Sequence, residues 1–326
     1  MSTVYVLGAG ASVVSGAPVL KNFFAHVFST YGRKSPRISR VADFLTDFFG
    51  VSLDCPGGEM PKYDTVLTFI DLALNSKRAL DAKYHERVLL ELRDDIIYLL
   101  WLCLQDTAAP EEPDSVHGKF VEKLVTNDDA ILSLNYDLLV DKALYARYSQ
   151  IDYGLSFKET FASVEGASDQ SPPPQLLKLH GSLNWLVCPT CQNLYLYLGG
   201  KALARIFEDP AEHCPADKSY LKGILIPPTW IKDYGNAHMQ QVWMAAEKKL
   251  REAKKVVFIG YSLAATDVQV LFSLCRALHS NPHKPLIEVV NPERRDVIHR
   301  RYRRMFGKVT YHCETFAQWL EQVPCG

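Results

Sequence analysis

The chain begins with a stretch, residues 4–18, that reads VYVLGAGASVVSGAP. Its first four residues are apolar and rich in β-formers, so they predict a buried strand. The chain then turns on Gly8 and Gly10, which have no Cβ and so allow a ligand to lie against bare backbone. We expect a helix to begin at Ser12, and a helix N-terminus presents unpaired N–H groups to phosphate. A strand, a glycine turn and a helix in this order indicate an α/β fold, whether the turn holds a nucleotide or only joins two elements.

The glycine spacing departs from the usual dinucleotide fingerprint. Gly8-x-Gly10 is followed by Val13 where a third glycine would stand. We also find no clear acidic residue at the end of a second predicted strand, where a ribose would be held. Both departures argue against an ordinary nicotinamide dehydrogenase.

Length and composition limit the remaining classes of protein. With 326 residues, 48% of them hydrophobic, the chain can form one large α/β domain with inserts or two modest domains. A net charge of -1 argues against general binding of nucleic acid or acidic membranes. The first apolar run is broken too early for a signal peptide, and the longest, 96–104, is too short to span a bilayer. Eight cysteines with a single CxxC pair favour a reduced, cytoplasmic protein.

Hydrophobic periodicity predicts a helix at residues 19–31, a short helical piece at 44–49 and two helices within 64–105, then strands that alternate with helices to the end of the chain. This alternation predicts an α/β fold with a doubly wound, Rossmann-like parallel sheet. Residues 187–222 are expected to be irregular and 223–228 to form a strand. A later helix is expected to have Thr266 as its N-cap and Asp267 in its first turn. We expect a single domain, 1–326, with a core at 1–55, 116–186 and 223–326, a helical insert at 56–115 and a small, zinc-ribbon-like, cysteine-containing insert at 187–222.

Small or polar residues follow five of the predicted strands. In a parallel sheet the carboxyl ends of the strands share one edge, and ligands bind outside that edge. We therefore expect these residues to converge on one crevice. They are Gly8 to Ser12, Asn135 to Asp137, His180, Gly260 to Ser262, and Asn291.

The same five stretches resemble, in order, five motifs of the sirtuin family. They are the opening GAGASVVSGAP, Asn135-Tyr136-Asp137, His180-Gly181, Gly260-Tyr261-Ser262-Leu263 and Asn291. The wording HGSLNW, together with GYSL ahead of Asp267, resembles the bacterial sirtuin-like branch that is associated with NAD-hydrolysing effectors of antiviral defence.

The resemblance implies an enzyme that cleaves NAD+ between nicotinamide and ribose. Asn135 would position the ribose and a water molecule, and His180 would act as general base. These roles suit the residue types, because an amide holds a hydroxyl without adding charge and imidazole titrates near neutral pH. The expected NAD-binding residues are Gly8, Ala9, Gly10, Ser12, Pro18, Asp137, Gly260, Ser262 and Asn291.

Several of these residues also have a purely structural interpretation. His180 can be a buried histidine satisfied by backbone at a strand end, and Asp137 can cap the helix that follows it. Asn291 can be a turn residue ahead of Pro292, and Ser262 can supply only a turn hydroxyl.

Two departures from the sirtuin pattern bear on the substrate. Sirtuins continue after the proline with Asp-Phe-Arg, whereas this chain has Val19-Leu20-Lys21, and lysine cannot reproduce the bidentate fork of arginine. Pro227 and Pro228 remove two backbone N–H donors from the segment where deacylases pair an acyl-lysine peptide as an added strand. We therefore favour water as the acceptor. An NAD-dependent protein deacylase and a non-catalytic NAD or ADP-ribose sensor or scaffold are the alternatives.

The cysteine-containing insert carries a candidate zinc site. Cys188-Pro-Thr-Cys191 has the spacing of a zinc knuckle, but a structural site needs four ligands. The only further candidates are His213 and Cys214. The insert therefore holds either a structural Zn2+ on these four residues or no metal.

Two expectations concern partners. An unregulated NAD hydrolase would be toxic, so an antiphage effector is expected to be restrained as a homo-oligomer or by a partner defence protein. Residues 64–105 are the expected surface for that contact.

The arginines at 294, 295, 300, 301, 303 and 304 lie on one predicted helix and favour a solvated helix face. The near-neutral total charge makes direct contact with nucleic acid the less favoured interpretation.

Overall fold

A computed structural model describes residues 2–17, 22–52, 60–105, 114–161, 171–198, 213–227, 229–230, 235–293 and 297–324. The chain divides into two compact units. The first comprises Met1–Gly16, Thr107–Ile226 and Tyr234–Gly326, and the second comprises Ala17–Asp106 with Pro227–Asp233. Among the described helices, none combines the length and the apolar composition needed to cross a lipid bilayer.

The first unit contains all the described strands. Six form one sheet and four form another. They are β1 (Thr3–Leu7), β2 (Ala130–Ser133), β3 (Glu159–Phe161), β4 (Gln175–Lys178), β5 (Gly181–Val187), β6 (Leu194–Tyr197), β7 (Lys222–Leu225), β8 (Lys255–Ile259), β9 (Leu286–Val290) and β10 (Thr310–His312).

The larger sheet is parallel throughout, in the order β10-β9-β8-β1-β2-β4. Counted along the chain, its six strands stand in the order 6-5-4-1-2-3, which is the classical dinucleotide-binding order read from its other end. The direction of strand addition reverses between β1 and β8. Ligands of doubly wound sheets bind at this reversal, outside the carboxyl ends of the strands.

Helices cover both faces of this sheet. Successive side chains of a strand point to opposite faces, so Tyr5 and Val6 mark the two sides of β1. The ring of Tyr5 packs on Phe120, 5.0 Å between centroids. Val6 is in register with Phe258, whose ring packs on Tyr302 at 5.1 Å. The α/β, doubly wound parallel sheet expected from the sequence is confirmed.

The described helices divide between the two units. The second unit holds α1 (Phe23–Tyr31), α2 (Pro36–Phe49), α3 (Tyr63–Asn75) and α4 (Glu86–Gln105). The first unit holds α5 (Val116–Leu124), α6 (Leu139–Tyr148), α7 (Ala237–Glu252), α8 (Val268–His279), α9 (Ile298–Phe306) and α10 (Phe316–Gln322).

The helical unit begins earlier than the insert at 56–115 that the sequence suggests. Aromatic contacts join α1 and α2 to α3, because Phe23 packs on Tyr63 and Phe44 packs on Phe69. The first two helices therefore share the core of the later two, which short-range periodicity does not reveal.

The smaller sheet has the order β3-β6-β5-β7, and its strand β6 lies within residues 187–222, which we expected to be irregular. β5 pairs antiparallel with both β6 and β7, and all seven of its residues are buried. A strand buried on both faces shows no alternation of polar and apolar residues, so the period-two signal is missing from the sequence.

Candidate functional site

Five strand ends of the larger sheet lie in one row. Leu7, Ser133, Lys178, Ile259 and Val290 are paired across neighbouring strands as their last residues. With strands about 4.8 Å apart, the row from β4 to β9 is about 19 Å long. The loops that follow are the five that the sequence singled out, and we call this edge the row of strand ends.

Glycines join two of these loops by direct backbone contact. The N–H of Gly8 donates to the carbonyl oxygen of Ile259, and the N–H of Gly10 donates to that of Gly260, both at 2.9 Å. Gly260 has φ +65°, and a Cβ there would lie 2.2 Å from the backbone nitrogen of Ala11. A Cβ on Gly10 would lie 2.8 Å from the Cα of Gly260. The space left by the missing Cβ atoms is thus used for packing between turns, whereas we had expected it to admit a ligand.

The helix expected to begin at Ser12 is absent from the described residues. Two short 3-10 turns, Ala9–Ala11 and Val13–Ser15, flank Ser12, and Gly16 ends the second in the left-handed region at φ 84°. The first described α-helix starts only at Phe23. A helix N-terminus for phosphate is therefore not formed at Ser12, and its side chain turns to other partners.

Ser12 is the centre of a buried hydrogen-bond cluster with Asn135 and Asp137. The amide Nδ2 of Asn135 donates to the hydroxyl of Ser12 at 2.9 Å and to the carbonyl oxygen of Gly8 at 3.0 Å. The hydroxyl of Ser12 in turn donates to Oδ2 of Asp137 at 2.7 Å. Both amide hydrogens of Asn135 are engaged, so Oδ1 is the atom of this side chain that faces no donor among the described residues.

The carboxylate of Asp137 serves two groups. Besides accepting from Ser12, it accepts from the N–H of Leu139 at 3.2 Å through Oδ1. Leu139 is the first residue of α6, so the helix-capping interpretation of Asp137 holds alongside its place in the cluster.

His180 follows β4, and its side chain contacts Leu134 and Tyr136. Its Nδ1 lies 3.1 Å from the carbonyl oxygen of Leu134. Its ring stacks against that of Tyr136, 6.0 Å between centroids, and the hydroxyl of Tyr136 donates to the carbonyl oxygen of Ile226 at 2.6 Å. Because a carbonyl only accepts, Nδ1 carries a proton, and in the neutral imidazole Nε2 carries the lone pair.

Asp267 is a site residue that sequence reasoning placed differently. We expected it in the first turn of a helix capped by Thr266. In the structure it stands at the N-cap of α8 without a capping hydrogen bond from its side chain. Its Oδ1 lies 3.9 Å from Nε2 of His180 instead, and its Oδ2 accepts from the hydroxyl of Tyr261 at 3.4 Å. The sequence signal that could have placed Asp267 in the site was the GYSL stretch, residues 260–263, which precedes it.

The remaining expected ligand residues differ in their surroundings. Asn291 accepts the N–H of Glu293 at 2.9 Å, which is the turn geometry expected ahead of a proline. The carbonyl oxygen of Ser262 accepts from Arg301 of α9 at 3.1 Å. Ala9 and Gly10 are exposed. Expected positions that lie outside the described residues are Pro18, Lys21, Pro228, Arg294 and Arg295.

The polar groups along the row are buried. Exposure is 2% for Ser12, 9% for Asn135, 5% for Asp137, 4% for His180 and 7% for Asp267. Groups with so little contact with bulk water interact strongly, because the local dielectric is low.

The three expected cysteines come together in the structure, and the fourth residue beside them is Asp217, not His213. Ligand atoms of Cys188, Cys191, Cys214 and Asp217 all lie within 4.8 Å of one another. Asp217 Oδ2 is 3.2 Å from the sulfur of Cys188, and the sulfurs of Cys191 and Cys214 are 3.6 Å apart. Two thiolates on one tetrahedral zinc lie about 3.8 Å apart, so the spacing fits that ion.

His213 lies outside this cluster. It pairs with Tyr220 as an isolated β-bridge, and the two rings are 4.4 Å apart. Neighbouring residues of extended chain point to opposite sides, so His213 and Cys214 do not face the same point. The carboxylate of Asp217, three residues beyond Cys214, takes the fourth position.

The chain is similar to one protein family and to several solved structures. The family model described as "SIR2-like domain" matches residues 129–307. Among solved structures, a mutant Sir2 homologue complexed with 2'-O-acetyl ADP ribose has 13% identity and a TM-score of 0.48, with 98% of this chain and 89% of that chain covered. A Sir2 complex with p53 peptide and NAD+ has 14% identity and a TM-score of 0.47, with 99% and 91% covered. No curated protein matches the sequence.

Proposed function

The chain belongs to the family of SIR2-like domains, and we propose that it binds NAD+ along the row of strand ends and hydrolyses the bond between nicotinamide and ribose. One observation carries this proposal. The cluster of Ser12, Asn135 and Asp137 and the imidazole of His180 lie on adjoining loops at the edge where a doubly wound sheet binds its ligand.

The strand order supports a dinucleotide as the ligand. The two halves of the sheet meet at β1 and β8, and each half presents loops to one part of a two-part ligand. The loops after β2 and β4, with Asn135 and His180, would receive the nicotinamide ribose. The loops after β8 and β9, with Ser262 and Asn291, would receive the adenosine half.

Cleavage of the bond between nicotinamide and ribose does not require a general acid from the protein. The C1'–N bond breaks with its electron pair going to the pyridinium nitrogen, so nicotinamide leaves as a neutral molecule. The oxygen of a water molecule forms the new bond to C1', giving ADP-ribose, and one proton of that water must be taken up. The protein therefore has to hold the ribose rigid and accept a proton.

His180 is suited to accept that proton. With Nδ1 donating to the carbonyl oxygen of Leu134, the lone pair is on Nε2. Once Nε2 is protonated, the carboxylate of Asp267 at 3.9 Å stabilises the imidazolium. Asn135 complements this base because its Oδ1 can accept from a ribose hydroxyl or orient the water, while Nδ2 stays fixed on Ser12 and Gly8.

Water is favoured over an acyl-lysine peptide as the acceptor. A peptide would pair as an added strand beside Ile226, Pro227 and Pro228. Ile226 already donates its N–H to the carbonyl oxygen of His180, and its own carbonyl oxygen accepts from Tyr136. Proline has no N–H, so this segment offers no unused donor to a peptide.

The burial of the site supports restraint of the activity, and the antiphage role rests on the resemblance of HGSLNW and GYSL to the bacterial sirtuin-like branch. A dinucleotide reaches Asn135 and His180 only after neighbouring groups move, because both side chains are almost fully covered. We infer an antiphage effector of the cytoplasm that depletes NAD+ when released. A homo-oligomer or a partner defence protein would hold it in the covered state.

We also propose that Cys188, Cys191, Cys214 and Asp217 bind a structural zinc ion within what we regard as one SIR2-like domain. The protein purified without chelator should contain about one zinc per chain by mass spectrometry of the metal. An Asp217→Ala variant should lose most of the metal, whereas His213→Ala should keep it. Equal zinc content in the two variants would contradict this ligand set.

The activity is tested by incubating the pure full-length chain with NAD+, with and without an acetylated peptide, and measuring nicotinamide and ADP-ribose. Release of both without peptide supports the proposal. Release that requires peptide identifies a deacylase. Tight binding of NAD+ or ADP-ribose without release identifies a sensor.

Single substitutions then test the residues. Asn135→Ala and His180→Ala should each lower the rate of release by about 100-fold or more. The matched control is His283→Ala, an exposed histidine, which should keep full activity. Full turnover by either site variant would remove that residue from the mechanism.

A further inference from the structure

A buried lysine lies directly beneath the loop that carries Asn135 and Asp137. Lys178 is the last residue of β4, two residues before His180, and its exposure is 0%. Its ammonium donates to the carbonyl oxygen of Asp137 at 2.5 Å and lies 3.5 Å from that of Tyr136. It also pairs with Oδ2 of Asp141 at 3.0 Å.

The ion pair continues into a buried polar chain. Oδ1 of Asp141 accepts from the hydroxyl of Tyr153 at 2.6 Å, and that hydroxyl accepts from Nδ2 of Asn184 at 3.1 Å. Asn184 lies in β5, the strand that begins directly after His180. The chain of contacts therefore runs from the loop after β2, through the start of α6, to the strand beyond His180.

Such a network contributes little net stability to a core, because burying its charged and polar groups removes them from water. Burial raises the pKa of the Asp141 carboxyl, and the neighbouring Lys178 opposes that rise. Apolar residues of similar size often replace a buried ion pair without loss of stability. Oδ1 of Asn184 and the hydroxyl of Ser182 are buried with no hydrogen-bond partner among the described residues, so the network is also incompletely satisfied.

We propose that Lys178 is a positioning residue that fixes the loop carrying Asn135 and Asp137 relative to His180. The inference rests on the proposed NAD+ hydrolysis for its kinetic consequence. Its ammonium binds backbone carbonyls at positions 136 and 137, so it acts on the path of the chain and leaves the reacting side chains free for substrate. Because Lys178 and His180 share one short stretch of backbone, the contact sets the spacing of base and amide.

The expected effect is kinetic. A displacement of about 1 Å between reacting groups lowers a rate by about 100-fold. A purely structural ion pair behaves differently, since exchanging both partners for apolar residues restores stability and activity together.

The test compares Lys178→Met, the double variant Lys178→Met/Asp141→Leu and a matched control pair, Lys255→Met/Glu288→Leu. The control removes another lysine–carboxylate pair of the same sheet, also 3.0 Å long, at the amino end of β8. Thermal stability, kcat and KM for NAD+ are measured for each. Hydrogen–deuterium exchange of a peptide covering residues 134–142 gives a readout independent of turnover.

We expect Lys178→Met to lose stability because it leaves Asp141 buried and unpaired. The double variant should regain the wild-type melting temperature while kcat stays about 10-fold to 100-fold low. Exchange at 134–142 should be faster than in the control pair. A double variant with wild-type stability, kcat and exchange would overturn the proposal.

Two further outcomes also test the proposal: a double variant that does not fold, and a wild-type chain that releases no nicotinamide. If the double variant does not fold, the single variant Lys178→Met replaces it and is measured well below its melting temperature, since it removes the contacts with the carbonyl oxygens of residues 136 and 137. Unchanged kcat and unchanged exchange in that variant overturn the inference. If the wild-type chain releases no nicotinamide, the proposed hydrolysis fails, and faster exchange at 134–142 alone supports the positioning role while unchanged exchange rejects it.

Discussion

Oδ1 of Asp267 lies 3.9 Å from Nε2 of His180, on the side of the imidazole opposite to the carbonyl oxygen of Leu134. The two ring nitrogens thus face two different acceptors. A carbonyl fixes the tautomer, and a carboxylate favours the form that has taken up a second proton. This is the arrangement that a base needs if its protonated state is to form in a covered site.

Asp267→Asn should lower kcat for nicotinamide release by about 10-fold or more, because the amide cannot stabilise the imidazolium as a carboxylate does. The KM for NAD+ should change little, since Asp267 faces the base and not the ligand. Steady-state kinetics at neutral pH provide the measurement. Asp128→Asn, at an exposed turn, is the control. Equal kcat in the two variants would show that the 3.9 Å contact is incidental.

Ser12→Ala should weaken both folding and ligand binding. Its hydroxyl accepts from Asn135 and donates to Asp137, so the substitution leaves two buried groups without their partner. We expect a loss of about 1 to 3 kcal/mol in the free energy of unfolding, measured with urea. Titration with NAD+ should show weaker binding. Ser29→Ala, an exposed hydroxyl in α1, should change neither quantity, and a similar result for Ser12→Ala would exclude a structural role for the cluster.

Gly260→Ala should be among the most damaging single changes in the first unit. The added Cβ would lie 2.2 Å from the backbone nitrogen of Ala11, and φ is +65°. Strain and overpacking together should cost at least about 3 kcal/mol in the free energy of unfolding. Gly307→Ala separates the two causes, because φ is +79° there but nothing lies within 4 Å. It should cost only about 1 to 2 kcal/mol, and equal losses would refute the close approach of the two turns.

Stability should fall below neutral pH because of His117. Burial lowers its pKa in the folded protein, opposed by the nearby charge of Asp137. The unfolded chain then binds more protons than the folded chain below about pH 6.5, so the free energy of unfolding decreases as pH falls. The slope from this group is at most about 1.4 kcal/mol per pH unit. Urea denaturation between pH 5 and pH 8 measures it.

His117→Phe should flatten that slope, since the ring of His117 already packs edge-on against Phe316 and a phenyl ring can keep this contact. The exposed His283→Phe should leave the slope unchanged. A wild-type profile that is flat below pH 6.5 would mean that His117 binds its proton equally well in the folded and unfolded chain.

The sequence was most informative where one physical pattern dominates. Parallel strands such as β2 and β8 are short, buried apolar runs between helices, so their presence and parallel direction could be predicted. The five strand ends followed from that topology. Of the smaller sheet, only a strand overlapping β7 was predicted, at residues 223–228. The pairing could not be predicted, because β5 is buried on both faces and its partners β6 and β7 lie far along the chain from one another.

The site was predictable in its residue types and less so in its contacts. Ser12 was assigned to a helix start, but Gly16 turns the backbone left-handed and leaves only 3-10 turns. Asp267 was assigned to the first turn of a helix, whereas its contact with His180 joins residues 87 positions apart in the sequence. The role of Lys178 could not be predicted from the sequence. The carbonyl oxygens that it contacts belong to Tyr136 and Asp137, and no sequence pattern near position 178 indicates that contact.

The interlocked turns at Gly8, Gly10 and Gly260 have an evolutionary consequence. Each of these positions must stay free of a side chain if the two halves of the sheet are to meet, whatever is bound there. A descendant of this chain that lost its catalytic power would still carry the same glycine signature. Loss of function would appear first as substitutions at positions 180 and 267, where the packing of the two turns does not require a particular residue.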